Sequence, residues 1–152
     1  MSGVSLNKIK VIAIVGPTAS GKTKFSINLA RKINGEIISA DSRLVYKGFN
    51  IGTAKPTKEE MNNIPHYMID IVEPDDEYSA GLYKESASNI IKEINSKGKV
   101  PIVVGGTGLY IDVLLKGYSL PGVEANKKLR ESLSKKSNNE FFDVKSVIIG
   151  IC

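Results

Sequence analysis

Three short stretches carry residue types and spacings that could do chemistry. Residues 16–23 read GPTASGKT, which fits G-x-x-x-x-G-K-[ST]. Such a loop turns successive backbone N–H groups towards a phosphate chain, and the positive end of the helix that follows adds to the field. Gly16 and Gly21 allow the tight path, while Thr18, Ala19 and Ser20 complete the cradle. Lys22 would neutralise terminal phosphate charge, and Thr23 would ligate Mg2+ through its hydroxyl. The second stretch, IISADSRLVYKG at 37–48, places a carboxylate, Asp41, just past an apolar run. The third, PIVVGGTGLY at 101–110, has Gly105, Gly106 and Thr107 where a Mg-dependent nucleotide hydrolase often carries its aspartate.

The loop alone does not separate a kinase, a hydrolase or another user of diphosphates. Asp41 is therefore the residue to explain. A carboxylate repels a nearby phosphate unless a metal or a proton transfer offsets the repulsion. That leaves Asp41 three candidate roles: metal support, general base on an attacking group, or cap of a turn with Ser42.

The elements that must position these residues follow from periodicity. KVIAIV at 10–15 is an apolar, β-branched run and reads as a buried strand. A helix follows over 22–33, with Phe25, Leu29 and Ile33 at helical spacing, and Asn34 and Gly35 stop it. Residues 36–40 form a second strand, a short helix follows Pro56, and HYMIDIV at 66–72 is a third strand. Ser79 caps a helix over about 80–97, with apolar contacts at Tyr83, Ala87, Ile90, Ile91 and Ile94. VPIVVGG at 100–106 is a fourth strand, and 107–117 a short helix leaving it. Beyond a linker at YSLPGVEA lies a charged helix, NKKLRESLSKKSNN, and DVKSVIIGIC at 143–152 contains a fifth strand. Strand, loop, helix, strand is the pattern of a parallel α/β sheet. The expected fold is thus P-loop NTPase-like, a three-layer α/β/α sandwich with a mostly parallel sheet of about five strands. Ligands in such sheets sit beyond the carboxyl ends of the strands, where the phosphate loop, Asp41 and Thr107 converge.

Composition narrows the class. At 152 residues one domain is the default, and 41% apolar residues can build a core. No apolar run approaches the roughly 18 residues that span a bilayer. The start, MSGVSLNK, has no secretory apolar region, so a cytoplasmic location is expected. A single cysteine, Cys152, rules out an intrachain disulfide and a cysteine-based metal cluster. A net charge of +5 weakly favours an anionic partner.

The blocks GPTASGKT, ISADSRLVYKG, IGTAKP, PHYMIDI, EYSA and PIVVGGTGLY occur in one order over residues 9–120, and together they resemble the tRNA dimethylallyltransferases. The resemblance implies that the loop binds the diphosphate of dimethylallyl diphosphate with the help of Mg2+. The exocyclic amine of the adenosine beside the tRNA anticodon then attacks the allylic carbon, and diphosphate leaves. It further implies that Asp41 is the base for that amine and that Thr107 positions the diphosphate and the reacting adenosine. Asp41, Ser42, Arg43 and Leu44 lie where the family touches tRNA, as does Thr107, and Arg130 in KLRESL resembles a further tRNA-contacting arginine. The target base must leave its stack to enter a crevice, which suits an adenosine in an anticodon loop.

Two departures stand out. The family usually has glutamine where this chain has Leu44, and leucine loses both hydrogen-bonding functions. Family members also carry an inserted helical domain that grips the anticodon stem-loop, so a truncated or internally deleted member, acting as a monomer, is the expectation. In that division residues 1–120 are the catalytic core, 121–142 a remnant of the tRNA-binding insertion or a linker, and 143–152 a returning core strand. The rival readings are an adenylate isopentenyltransferase, a P-loop small-molecule kinase, and an inactive diphosphate-binding remnant.

Overall fold

The computed structural model describes residues 9–49 and 55–118, together with 128, 131, 132 and 135. The chain divides into two compact units, Met1–Leu120 and Pro121–Cys152. In the first, strands β1 (Ile12–Val15), β2 (Gly35–Ser39), β3 (His66–Tyr67) and β4 (Val100–Gly105) alternate with helices α1 (Lys22–Ile33), α2 (Lys58–Met61), α3 (Ala80–Ser96) and α4 (Gly108–Leu115). In the second, Lys128, Glu131 and Ser132 are helical; Arg130 and the strand expected within 143–152 lie outside the described residues.

The described strands form one parallel sheet in the order β1-β4-β2-β3. Register makes the layers. Ile12 and Ile37 both pair with Ile102, and Ala13 and Ile38 both pair with Val103. Because side chains alternate along a strand, these two rows face opposite sides. Ile37 and Ile102 pack against Ile27 and Ala30 of α1. Ile38 and Val103 pack against Tyr83, Ala87, Ile91 and Ile94 of α3, and Tyr110 and Ile111 of α4. Helices thus cover both faces, and the fold is a P-loop NTPase-like three-layer α/β/α. Among the described residues the sheet has four strands, against an expected five or so. No helix among them is long and apolar enough to cross a membrane.

Capping chemistry sets the helix ends. Asn34 takes the left-handed conformation (φ 53°) and returns its N–H to Ala30 O, ending α1. Ser79 Oγ accepts from Leu82 N–H at 3.2 Å to start α3. Thr57 and Glu60 form a reciprocal capping box around α2.

Two expectations need correction. The inward stripe of α1 is Ser26, Ile27 and Ala30, with Leu29 and Ile33 packed half-buried beside it, while Phe25 is 60% exposed. Nor does 66–72 form one strand. Pairing stops at Tyr67, and Met68 (φ 63°) and Asp70 (φ 55°) both take left-handed backbone. Residues 70–72 pair instead with 44–47, through Asp70 N–H to Leu44 O, Ile71 N–H to Val45 O and Lys47 N–H to Val72 O. Lys55, nearly buried, ion-pairs with Asp70 and secures that detour.

Candidate functional site

The phosphate loop links β1 to α1 at the carboxyl edge of the sheet. Gly21 (φ 79°) and Ala19 (φ 65°) are both left-handed, and this reversal turns the chain into the helix. Gly21 provides no side-chain cap, so the first amides of α1 are left for a ligand. Lys22 Nζ donates to Pro17 O and lies 3.4 Å from Ser20 Oγ, folded back over its own loop. Gly16 packs close, since a Cβ there would stand 3.3 Å from Ser20 Oγ.

Asp41 follows β2 at the same edge. Its Oδ1 accepts Arg43 N–H at 2.9 Å, an Asx turn, so the capping role is present. No hydrogen bond to Oδ2 is found among the described residues, and Asp41 lines the cavity described below. The turn is tied to the loop after β4. Thr107 Oγ1 accepts Ser42 N–H at 3.0 Å and sits 3.3 Å from Ser42 Oγ, and Thr107 N–H donates to Ala40 O at 3.1 Å. This approach is possible only with glycine at 105, where a Cβ would stand 2.2 Å from Ala40 O. Gly105→Ala is expected to cost about 3 kcal/mol, because the obstacle is backbone and cannot step aside. The urea midpoint of unfolding measures it, and Gly108→Ala, with open space around its Cα, serves as control.

A cavity of about 550 Å3 opens over this edge. It brings together Thr18, Ala19, Gly21, Lys22, Thr23, Asp41 and Gly106. Gly16, Ser20 and Thr107 do not line it, and Thr107 is tied to it through its hydrogen bond with Ser42, next to Asp41. Arg43 is exposed. Leu44 is buried in the core, so leucine packs where an amide would need buried partners. The cavity also runs along α1 past Lys24, Ile27, Asn28 and Arg31 to Glu60 and Asn62. Sequence reasoning missed this arm; the signal was a polar i, i+4, i+7 row on α1.

The chain's one histidine is engaged elsewhere. His66 Nδ1 lies 2.7 Å from Ile64 O, and burial holds the ring below the usual imidazole range, so it is neutral at pH 7 and donates there. It lines a small separate cavity with Ser26 and Ser39 behind Thr23. Tyr110, at the base of the site, is pushed up to about 12 by burial first, then by Tyr78, Tyr46 and Asp41, and stays a neutral phenol. The ionisable side chains left in the large cavity are Lys22, Lys24, Arg31, Asp41 and Glu60, and Glu60 Oε2 already accepts Thr57 N–H.

Known proteins resemble this chain in sequence and in fold. A tRNA dimethylallyltransferase of Thermoanaerobacter sp. (strain X514) is 53% identical over 130 residues, 86% of this chain and 41% of that protein. The solved tRNA delta(2)-isopentenylpyrophosphate transferase of Staphylococcus epidermidis superposes with a TM-score of 0.71 at 55% identity, covering 87% of this chain and 44% of that one. A eukaryotic dimethylallyltransferase acting on tRNA superposes with a TM-score of 0.75 at 34% identity, over 90% of this chain and 35% of that one. The chain therefore spans about two fifths of the length of the curated relatives it matches. A family model described as IPP transferase matches residues 44–145, which begins just after the Asp41–Arg43 turn and takes in the detour at 68–72 and the GGTGLY loop; on that match, the chain belongs to the IPP transferase family.

Proposed function

We propose that this chain carries the reacting core of an enzyme that transfers a dimethylallyl group from dimethylallyl diphosphate to the exocyclic amine of the adenosine next to the anticodon in tRNA. One observation carries the reading: a single cavity joins a phosphate loop to a carboxylate whose second oxygen accepts no hydrogen bond among the described residues. A carboxylate so placed is unfavourable for anion binding alone and useful for taking a proton.

In this reading the loop amides, the head of α1 and Lys22 hold the diphosphate. Lys22 leaves Pro17 O to do so. The amine nitrogen forms a bond to the allylic carbon as the carbon–oxygen bond breaks, and the bonding pair departs with the diphosphate. Negative charge grows on the leaving group, where fixed donors stabilise it most. The proton lost by the amine passes to Asp41 Oδ2, while the Arg43 N–H on Oδ1 fixes the direction of the carboxylate. Thr107 holds the turn that carries Asp41 and Ser42, and Ser42 and Arg43 form the border facing tRNA, while Leu44 is buried in the core. The Thr23 hydroxyl beside a diphosphate would suit Mg2+, which takes one or two protein oxygens and keeps several waters. When bound, the ion neutralises charge on the leaving diphosphate. Residues 1–120 are the catalytic core in this reading, Arg130 and the rest of 121–142 belong to the tRNA-facing insertion, and 143–152 add a core strand. A monomer in the cytoplasm is the working form.

The test compares binding of a non-hydrolysable dimethylallyl diphosphate analogue with that of ATP, each with Mg2+, followed by incubation of labelled donor with tRNA or AMP. The expected result is a preference for the analogue and label on tRNA. Label on AMP alone assigns the adenylate branch, and donor binding without product assigns an inactive remnant. Tighter ATP binding with phosphoryl transfer to a small molecule overturns the reading.

A further inference from the structure

In the reading proposed above, the diphosphate takes up only the end of the cavity at the head of α1. Along α1 the lining runs from Lys22 to Arg31, nine residues or about 13 Å at 1.5 Å per residue. A diphosphate held at the head of the helix does not reach that far. Lys24, Asn28 and Arg31 follow one another at spacings of four and three, so they share one face of the helix, and all three line the cavity. None makes a hydrogen bond or ion pair among the described residues. The opposite wall is Glu60 and Asn62 on and after α2, and Glu60 is turned to its own cap through Oε2. Two unpaired cations and an amide donor along one wall of a groove form a site for an anion with several oxygen acceptors.

We infer that this arm is a phosphate subsite for the acceptor nucleotide, with Arg31 and Lys24 as its cations and Asn28 as a neutral donor. The inference rests on the acceptor being an adenine nucleotide, as proposed above. An adenosine whose amine meets Asp41 carries its own phosphate about a nucleoside's length from the reacting atom, and the cavity that Asp41 lines is also lined by Lys24, Asn28 and Arg31. The phosphate is either a diester of an RNA backbone or the monoester of a free nucleotide, and the chemistry of recognition is shared. The competing explanation is that Arg31 serves only the carboxyl end of α1, as a cation in its last turn. Lys32 occupies that same turn but does not line the cavity, and so provides the comparison.

The experiment measures binding of an anticodon stem-loop RNA, of AMP, and of the dimethylallyl diphosphate analogue to the full chain and to Arg31→Ala, Lys24→Ala and Lys32→Ala, across a salt series. Arg31→Ala and Lys24→Ala should each weaken acceptor binding about tenfold, with the salt slope falling by about 0.7–0.9 per lost contact. Lys32→Ala should change acceptor binding by less than about twofold, and analogue binding should hold in all three variants. Weakening confined to RNA identifies a diester subsite, and weakening shared with AMP a monoester subsite. The inference is overturned if Arg31→Ala and Lys24→Ala behave like Lys32→Ala, if analogue binding falls as much as acceptor binding, or if the unaltered chain binds neither acceptor. Failure of the dimethylallyl reading is separate: it shows as preference for ATP over the analogue, and an Arg31-dependent loss of AMP binding would still support the subsite.

Discussion

Asp41→Asn is expected to lower dimethylallyl transfer by about 10²–10⁴-fold, the usual contribution of a positioned general base. Donor binding should change by less than about twofold. The substitution is informative because of the Asx turn. Asparagine retains an Oδ1 that can accept Arg43 N–H, so the turn and the Thr107–Ser42 contacts survive. Only the oxygen able to take a proton is lost. If Asp41 were merely a cap, Asn would be nearly silent. Asp41→Ala removes cap and base together, and should add about 1 kcal/mol of destabilisation to the same loss of rate. Single-turnover transfer and analogue binding, measured side by side, separate these cases. An equal loss of donor binding and transfer in Asp41→Asn would make the residue a metal or structural group instead.

The second large effect lies at the opposite edge of the sheet. Glu36, 2% exposed, is the second residue of β2. Its Oε1 pairs with Lys99 Nζ at 2.5 Å, and its Oε2 accepts from Tyr67 OH at 2.7 Å. Burial alone would raise its pKa, but the hydrogen bonds from Lys99 and Tyr67 and the charges of Lys99 and Lys97 outweigh it, and the carboxyl sits below its usual 4.5. Lys99→Met leaves that buried carboxylate without its cation and should cost about 3 kcal/mol at neutral pH, at the low end for a broken buried pair because Lys99 is itself partly exposed.

The pH dependence gives the effect a sign. In the unaltered chain the depressed pKa contributes stability that is present above about 4.5 and lost as pH falls through the folded value. In Lys99→Met the burial penalty is opposed only by Tyr67 and the more distant Lys97, so the folded pKa rises. That variant's deficit should be greatest near pH 7 and shrink as the solution is acidified and the carboxyl takes a proton. Urea unfolding of both proteins between pH 4 and 7 measures this, and a deficit independent of pH would assign the loss to packing.

What a linear reading can recover here is what neighbouring residues decide among themselves. The phosphate loop, the helix it opens and the β-branched runs ending at Val15, Ser39 and Gly105 depend on local spacing, and the structure places them within a residue or two of expectation. Asn34 and Ser79 act as caps because their own side chains and backbone suffice. Asp41 was legible as the odd carboxylate because strand ends in a parallel sheet share one edge.

The remainder required partners distant in the chain. The apolar alternation of 66–72 reads as a strand, yet the Lys55–Asp70 pair and the carbonyls of Leu44 and Val45 bend it after Tyr67. Phe25 lies at helical spacing with Leu29 and Ile33, which do pack against the Ile27 and Ala30 cluster, but Phe25 itself is exposed, since only the position of β2 and β4 defines inward. Leu44 looked like a changed recognition residue and is buried core. The sequence by itself determined the phosphate-loop motif, the strand before it and the helix that it opens. Tertiary structure alone decided that Asp41 opens onto the same cavity, that Thr107 serves it through Ser42, and that the cavity continues to Arg31. Those outcomes are distances between elements far apart in the chain, and they are set by how the helices pack on the sheet rather than by any local run of residues.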